Sequence, residues 1–156
     1  MVRRFRQECS LTIAVGSAEH RDERTNPFSG AERKAMIEGY LRESGIRDVR
    51  VVALEDGPSF SWAIENMIRT CRPQVVYLST DRNRLATLAA QKVKVVRFQR
   101  VGDVSSTRIR NSIARGGDEW TRLTGPSVVR WIRAHDGLAR IRAACGRAGT
   151  ARDRQK

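Results

Sequence analysis

The stretch that decides the fold is Leu11-Thr12-Ile13-Ala14-Val15, closed by Gly16-Ser17. A short apolar run ending in a Gly-Ser turn reads as a strand buried on both faces, the pattern of a parallel sheet. Working outward, Ser29-Gly30-Ala31-Glu32 forms a capping box. It opens a helix to about Arg42 with Met36, Ile37, Tyr40 and Leu41 on the inner face. Gly45 stops that helix. Val49–Leu54 reads as the next strand, Trp62–Cys71 as a helix, Gln74–Ser79 as a strand, Asn83–Gln91 as a helix and Val93–Phe98 as a strand. Two helices follow, Ser106–Arg115 and Pro126–His135. Strands alternating with helices of this length imply right-handed crossovers and a doubly wound, Rossmann-like α/β fold with a parallel sheet.

The chain has 156 residues, room for one domain and no second core. With 40% hydrophobic and 30% charged residues it is too apolar for a disordered polymer. Its net charge of +13 points to anionic partners. The cations are nearly all Arg, whose forks suit phosphate oxygens, although heavy Arg use beside abundant Ala also follows from a GC-rich genome. Cys9, Cys71 and Cys145 are odd in number and widely spaced, which indicates neither a disulfide framework nor a zinc site and places the chain in the cytoplasm. No apolar run reaches the roughly 18 residues of a membrane span, and Met1–Ser10 is too charged for a signal peptide. Residues 137–156 are basic and weakly patterned, expected as a helical remnant followed by a loose tail.

In open α/β sheets ligands bind beyond the carboxyl ends of the strands. After the last strand comes Ser105-Ser106-Thr107-Arg108-Ile109-Arg110, hydroxyl residues that run into a helix start. Free backbone N–H groups, hydroxyl donors and the positive helix end would face one point there, with Arg110 adding a bidentate contact to a phosphate. An ordinary Ser/Thr cap on a basic helix has the same local sequence. After the first strand, Gly16 and Ser17 would let a ligand approach the backbone, and Arg33 could meet a phosphate. A long polar loop before a capped helix reads the same way. Ser59 and Trp62, at a helix start, offer an aromatic face for a flat ring or a core residue.

Together these segments resemble the archaeal-type nicotinamide-nucleotide adenylyltransferases of the HxGH nucleotidyltransferase superfamily. The shared residues are Gly-Ser-Ala at 16–18, Asn-Pro-Phe-x-x-x-Glu-Arg at 26–33, Trp62, Val-Tyr at 76–77, the SSTxIR signature at 105–110, Gly-Asp-x-Trp at 117–120, and Pro-x-Val-Val at 126–129. The resemblance implies a nucleotidyltransferase domain over residues 1–136. It would move a nucleoside monophosphate from a triphosphate to a phosphate-bearing acceptor and release pyrophosphate. Catalysis would rest on positioning and on charge neutralisation by Mg²⁺ carried on the substrate phosphates. By carry-over, Ser105, Ser106, Thr107 and Arg110 would hold the triphosphate, Gly16, Ser17 and Arg33 would line the nucleotide cleft, and Trp62 with Ser59 would wall the acceptor. No protein ligand for a metal is implied.

The chain also departs from this pattern. The family opens with a strand and a GxFxPxHxGH segment that this sequence lacks, so the catalytic residues stay unassigned and the domain reads as N-terminally incomplete. The absent strand would be the central one, and its loss would leave two half-sheets; the expectation is that the start codon lies upstream and that Met1 is internal. Leu78-Ser79-Thr80-Asp81 stands where the family has Ser-Gly-Asn, Ser59 replaces an Asn, and His20 sits two places early. These changes surround the acceptor and the base. They favour a relative that loads CMP from CTP onto a small phosphonate such as phosphonoformate, in antibiotic biosynthesis, over ATP and nicotinamide mononucleotide. Outside that class stand a basic nucleic-acid-binding domain, for which no motif is present and 6% aromatics offer little stacking surface, and an inactive remnant. A homo-oligomer is compatible with every reading.

Overall fold

The computed structural model describes residues 10–78, 87–88, 91–98 and 102–152, with side chains as far as Gly146. In chain order the elements are β1 (Leu11–Val15), α1 (Gly30–Glu43), β2 (Val49–Ala53), α2 (Phe60–Cys71), β3 (Val75–Leu78), β4 (Lys94–Arg97), α3 (Ser106–Ala114), α4 (Trp120–Leu123), α5 (Pro126–Ala134) and α6 (Gly137–Arg152). Most of the helix expected at Asn83–Gln91, and Ser79-Thr80-Asp81, lie outside the described residues, as do Met1–Cys9. The short helix α4 had no counterpart in the sequence reading.

β1 pairs with β2 in parallel, Leu11 opposite Val49 through Val15 opposite Ala53, with α1 as the crossover. β3 pairs with β4 in parallel, Val75 opposite Lys94 through Leu78 opposite Arg97. Among the described residues no ladder joins one pair to the other. This explains a difference from the sequence reading: β1 was expected to be buried on both faces, but Ala14 is exposed and Val15 alone is fully buried. A strand with one partner and a helix on one face leaves part of its surface open.

α1 begins as its sequence dictates. Ser29 Oγ accepts from Glu32 N, and Glu32 Oε2 accepts from Ser29 N at 2.8 Å, so both halves of the capping box are made. The helix ends where Gly45 takes a positive φ of 65° and Ile46 N donates back to Leu41 O at 2.8 Å. Its inner face splits between two cores. Leu41 packs with Val15, Ile46 and Val51 under the β1–β2 pair, with Ile37 beside them. Met36 reaches the larger cluster of Phe28, Ile113, Trp120, Val129, Ile132 and Ile141. Tyr40, expected inward, is 43% exposed.

That larger cluster draws on the C-terminal region. Residues 137–156, set apart by the sequence reading, contain the 16-residue helix α6. Its Ile141 (1% exposed) and Ala144 (3%) are buried against α3 and α5. Leu138, Ile141 and Cys145 recur at helical spacing and all meet this core. Several resemblance residues turn out to be packing residues: Phe28, Trp120 and Val129 lie within it, and Phe28 meets Trp131 edge to face at 5.5 Å. No helix among the described residues is long and apolar enough to cross a membrane.

Candidate functional site

The start of α3 is built by Ser105. Extended at φ −137° and ψ 151°, it accepts from Arg108 N on its Oγ at 3.1 Å and so caps the helix. Ser106 and Thr107, the first helical residues, are exposed. Their amides belong to the first turn, where a helix offers no internal acceptor, and their hydroxyls stand beside them. The two arginines of the segment differ. Arg108 is ion-paired with Glu119. Arg110 makes one hydrogen bond among the described residues, to Thr107 Oγ1 at 3.3 Å. Burial pushes its guanidinium below its ordinary value, and the positive charge of Arg24 acts in the same direction, against the influence of Cys145. The charge of Arg24, on the loop after β1, is thus felt at Arg110, and the sequence reading did not single it out. The Arg110 guanidinium, two hydroxyls and a helix start make a concentration of donors suited to a polyanion.

The loop after β1 is held differently. Ser17 takes a positive φ of 53°. Its N–H donates to Asp56 Oδ1 at 3.0 Å and its hydroxyl to Asp56 Oδ2 at 2.5 Å. Ala18 N donates to Leu54 O at 2.9 Å. Arg33 lies on the other side: Nη1 donates to Gly16 O at 2.8 Å, Nη2 to Ser17 O, and Nε to Phe28 O at 3.1 Å. Gly16, Ser17 and Arg33 are thus brought together, but the Arg33 fork is engaged with carbonyls. The glycine this loop needs sterically is Gly30, where a Cβ would come within 2.6 Å of Ala18 Cα. Gly16 has space, its nearest neighbour being Asp56 Oδ1 at 3.5 Å.

Ser59 caps α2, its Oγ accepting from Trp62 N at 3.1 Å. The Trp62 ring is half-buried and lies against Gly57, where an added Cβ would fall 2.1 Å from the ring. Glu19 links this turn to the first loop by accepting from Asp56 N at 2.9 Å and Gly57 N at 3.3 Å. Ser17, Asp56, Glu19 and Trp62 therefore share one rim at the carboxyl ends of β1 and β2. Asp56 is a residue the sequence reading missed, and the Asp-Gly turn at the end of β2 is the signal that marks it. No hydrogen bond among the described residues links this rim to the start of α3.

Two other features help to place the site. An open cavity of about 800 Å³ lies between β1, α1 and the α4–α5 segment. Its lining, with Ile13, Val15, Met36, Ile37 and Val128, is largely apolar, and Arg33 and Arg122 also border it. Glu19, His20 and Asp56 have ligand atoms within 4.8 Å of one another. His20 Nδ1 is 2.9 Å from Glu23 Oε1, and that carboxylate raises the pKa of the imidazole.

The architecture is that of the Rossmann-like α/β nucleotidyltransferases. A bifunctional NMN adenylyltransferase/ADP-ribose pyrophosphatase from Francisella tularensis superposes with a TM-score of 0.65 at 15% identity over 85% of this chain, which spans 44% of that protein. Sequence relatives narrow the class. The nicotinamide-nucleotide adenylyltransferase of Picrophilus torridus is 32% identical over 135 residues, 85% of this chain and 79% of its own length. That of Pyrobaculum neutrophilum is 34% identical over 146 residues, 88% of this chain and 80% of its own length. The chain belongs to the nicotinamide-nucleotide adenylyltransferase family and is a nucleotidyltransferase. No protein-family model matches it.

Proposed function

We propose that the protein transfers AMP from ATP to nicotinamide mononucleotide, forming NAD and pyrophosphate. The observation that carries the reading is the donor set at the start of α3, where the exposed Ser106 and Thr107 stand with Arg110, whose one hydrogen bond among the described residues is to Thr107 Oγ1. The names of the relatives support the nicotinamide acceptor, so the preference for CMP and a phosphonate drawn from sequence departures gives way to its alternative.

In this reading the first-turn amides and hydroxyls of α3 and the Arg110 fork hold the β- and γ-phosphates. An oxygen of the acceptor phosphate attacks the α-phosphorus in line, the bond from the α-phosphorus to the bridging oxygen breaks, and pyrophosphate leaves with that electron pair. Holding both phosphates against fixed donors aligns the leaving group and offsets its growing charge. The hydroxyl and guanidinium donors of α3 offer no carboxylate to a metal, so Mg²⁺ fits as an ion carried on the triphosphate, where it supplies charge neutralisation. Trp62, with Ser59 fixing its helix, walls the acceptor ring.

The test is pyrophosphate release by the full chain offered ATP or CTP with nicotinamide mononucleotide or phosphonoformate. ATP with the mononucleotide is the expected productive pair. Arg110→Ala should weaken triphosphate binding about tenfold to a hundredfold, the range for a lost charge-assisted contact. Arg69→Ala, at the far end of α2, should leave binding unchanged; equal losses at both positions would mean diffuse charge rather than a site.

A further inference from the structure

We propose that Arg33 is a positioning residue whose planar fork clasps the loop after β1 and fixes the wall of the nucleotide cleft, rather than a cation that touches phosphate. Three nitrogens of one guanidinium hold carbonyls from both ends of the loop, Gly16 and Ser17 at its start and Phe28 and Ser29 at its close. The opposite side of the same peptide units is held by β2 and the turn after it: Ser17 N and Oγ by Asp56, and Ala18 N by Leu54 O. The clasp thus grips both sides of a turn in which Ser17, a non-glycine residue, sits at positive φ. Such a conformation persists only where its surroundings over-determine it.

The chemistry separates the two roles. A phosphate contact needs a charge, which Lys supplies. A clasp on converging carbonyls needs a rigid fork with several donors, which Lys cannot reproduce. A wall that binds ground state and transition state alike changes KM more than kcat when it loosens.

The kinetic arm of the test rests on the adenylyl-transfer reading, and a second arm does not. Arg33→Lys and Arg33→Met are compared with Lys34→Met, a neighbouring change on the exposed face of α1 where Lys34 makes a surface pair with Glu38. The expected result is that both Arg33 variants raise KM for ATP about tenfold or more, the scale of a misplaced contact, with kcat within about twofold. Lys should give no rescue, and the Ser17 and Ala18 amides should exchange faster by NMR. Lys34→Met should match the parent in every readout. Restoration of the parent KM by Lys, with unchanged amide exchange, would overturn the clasp. If the parent protein shows no adenylyl transfer, the functional reading fails, and amide exchange decides the clasp alone: faster exchange upholds it and unchanged exchange refutes it. Should the Arg33 variants not fold, Asp56→Asn loosens the same turn from the other side and is read by the same two arms.

Discussion

Replacing Glu32 by Gln should destabilise the protein by about 2 kcal/mol at neutral pH, through a contact made far along the chain. The Glu32 carboxylate accepts from Ser29 N at 2.8 Å and from Arg140 on α6 at 2.5 Å and 3.0 Å. Arg140 also donates to Pro27 O at 2.9 Å and lies over the Phe28 ring at 5.0 Å. The hydrogen-bonded Arg140 guanidinium lowers the Glu32 pKa from 4.5 to about 2, opposed by burial and assisted by Ser29. A fall of that size corresponds to about 3 kcal/mol of preference for the charged form. About a quarter of each side chain meets solvent (28% and 26%), and screening brings this to about 2 kcal/mol. Because the folded-state pKa is depressed, the stabilisation is fully present above pH 4.5. It is lost as pH falls towards 2 and the carboxyl protonates. Gln keeps the shape and a carbonyl for the cap but not the charge. Thermal unfolding followed by circular dichroism should show Glu32→Gln melting about 4–8 °C below the parent at pH 7, with the gap closing between pH 4.5 and pH 2. A variant that melts with the parent at pH 7, or a gap that does not change with pH, would refute the reasoning.

Further outcomes follow from other contacts. Ile141→Ala should cost about 3 kcal/mol, the usual range for a filled core position, because Ile141 is 1% exposed beside Ile113; a denaturant midpoint equal to the parent's would mean that α6 does not close the core. Gly57→Ala should displace Trp62, since Gly57 has φ 61° and its Cβ would strike the ring; a shift in tryptophan emission with a loss of about 1–3 kcal/mol is expected, and an unchanged spectrum would contradict it. Arg24→Ala should weaken ATP binding about tenfold or more, the scale of one charge-assisted bond, measured by calorimetry; parent-like affinity would remove Arg24 from the site.

Much of the fold was legible in local sequence because its signals are local. The Ser29–Glu32 capping box set the start of α1, the Gly45 turn its end, and Ser105 the start of α3. What stayed hidden depended on distant partners. In the Asn-Pro-Phe-x-x-x-Glu-Arg segment, Phe28 is core, Glu32 pairs with Arg140, and Arg33 clasps carbonyls. None of these roles can be read from spacing, since Arg140 lies 108 residues away from Glu32. For Arg33 the sequence shows a charge suited to a phosphate but not the Gly16, Ser17 and Phe28 carbonyls around it. The register of α6 was present in Leu138, Ile141 and Cys145, yet intervening Arg, Ala and Gly residues flattened the contrast between its faces. At the start of α3 the hydroxyls and Arg110 were identifiable as a motif, whereas Asp56, which holds Ser17, comes to the first loop from the turn after β2.

The most direct test of the account is product analysis of the full chain incubated with ATP, nicotinamide mononucleotide and Mg²⁺. The account predicts NAD and pyrophosphate in equal amounts, with Arg110→Ala strongly impaired. Product with CTP and a phosphonate but none with ATP and the mononucleotide, or NAD formation unaffected by Arg110→Ala, would contradict it.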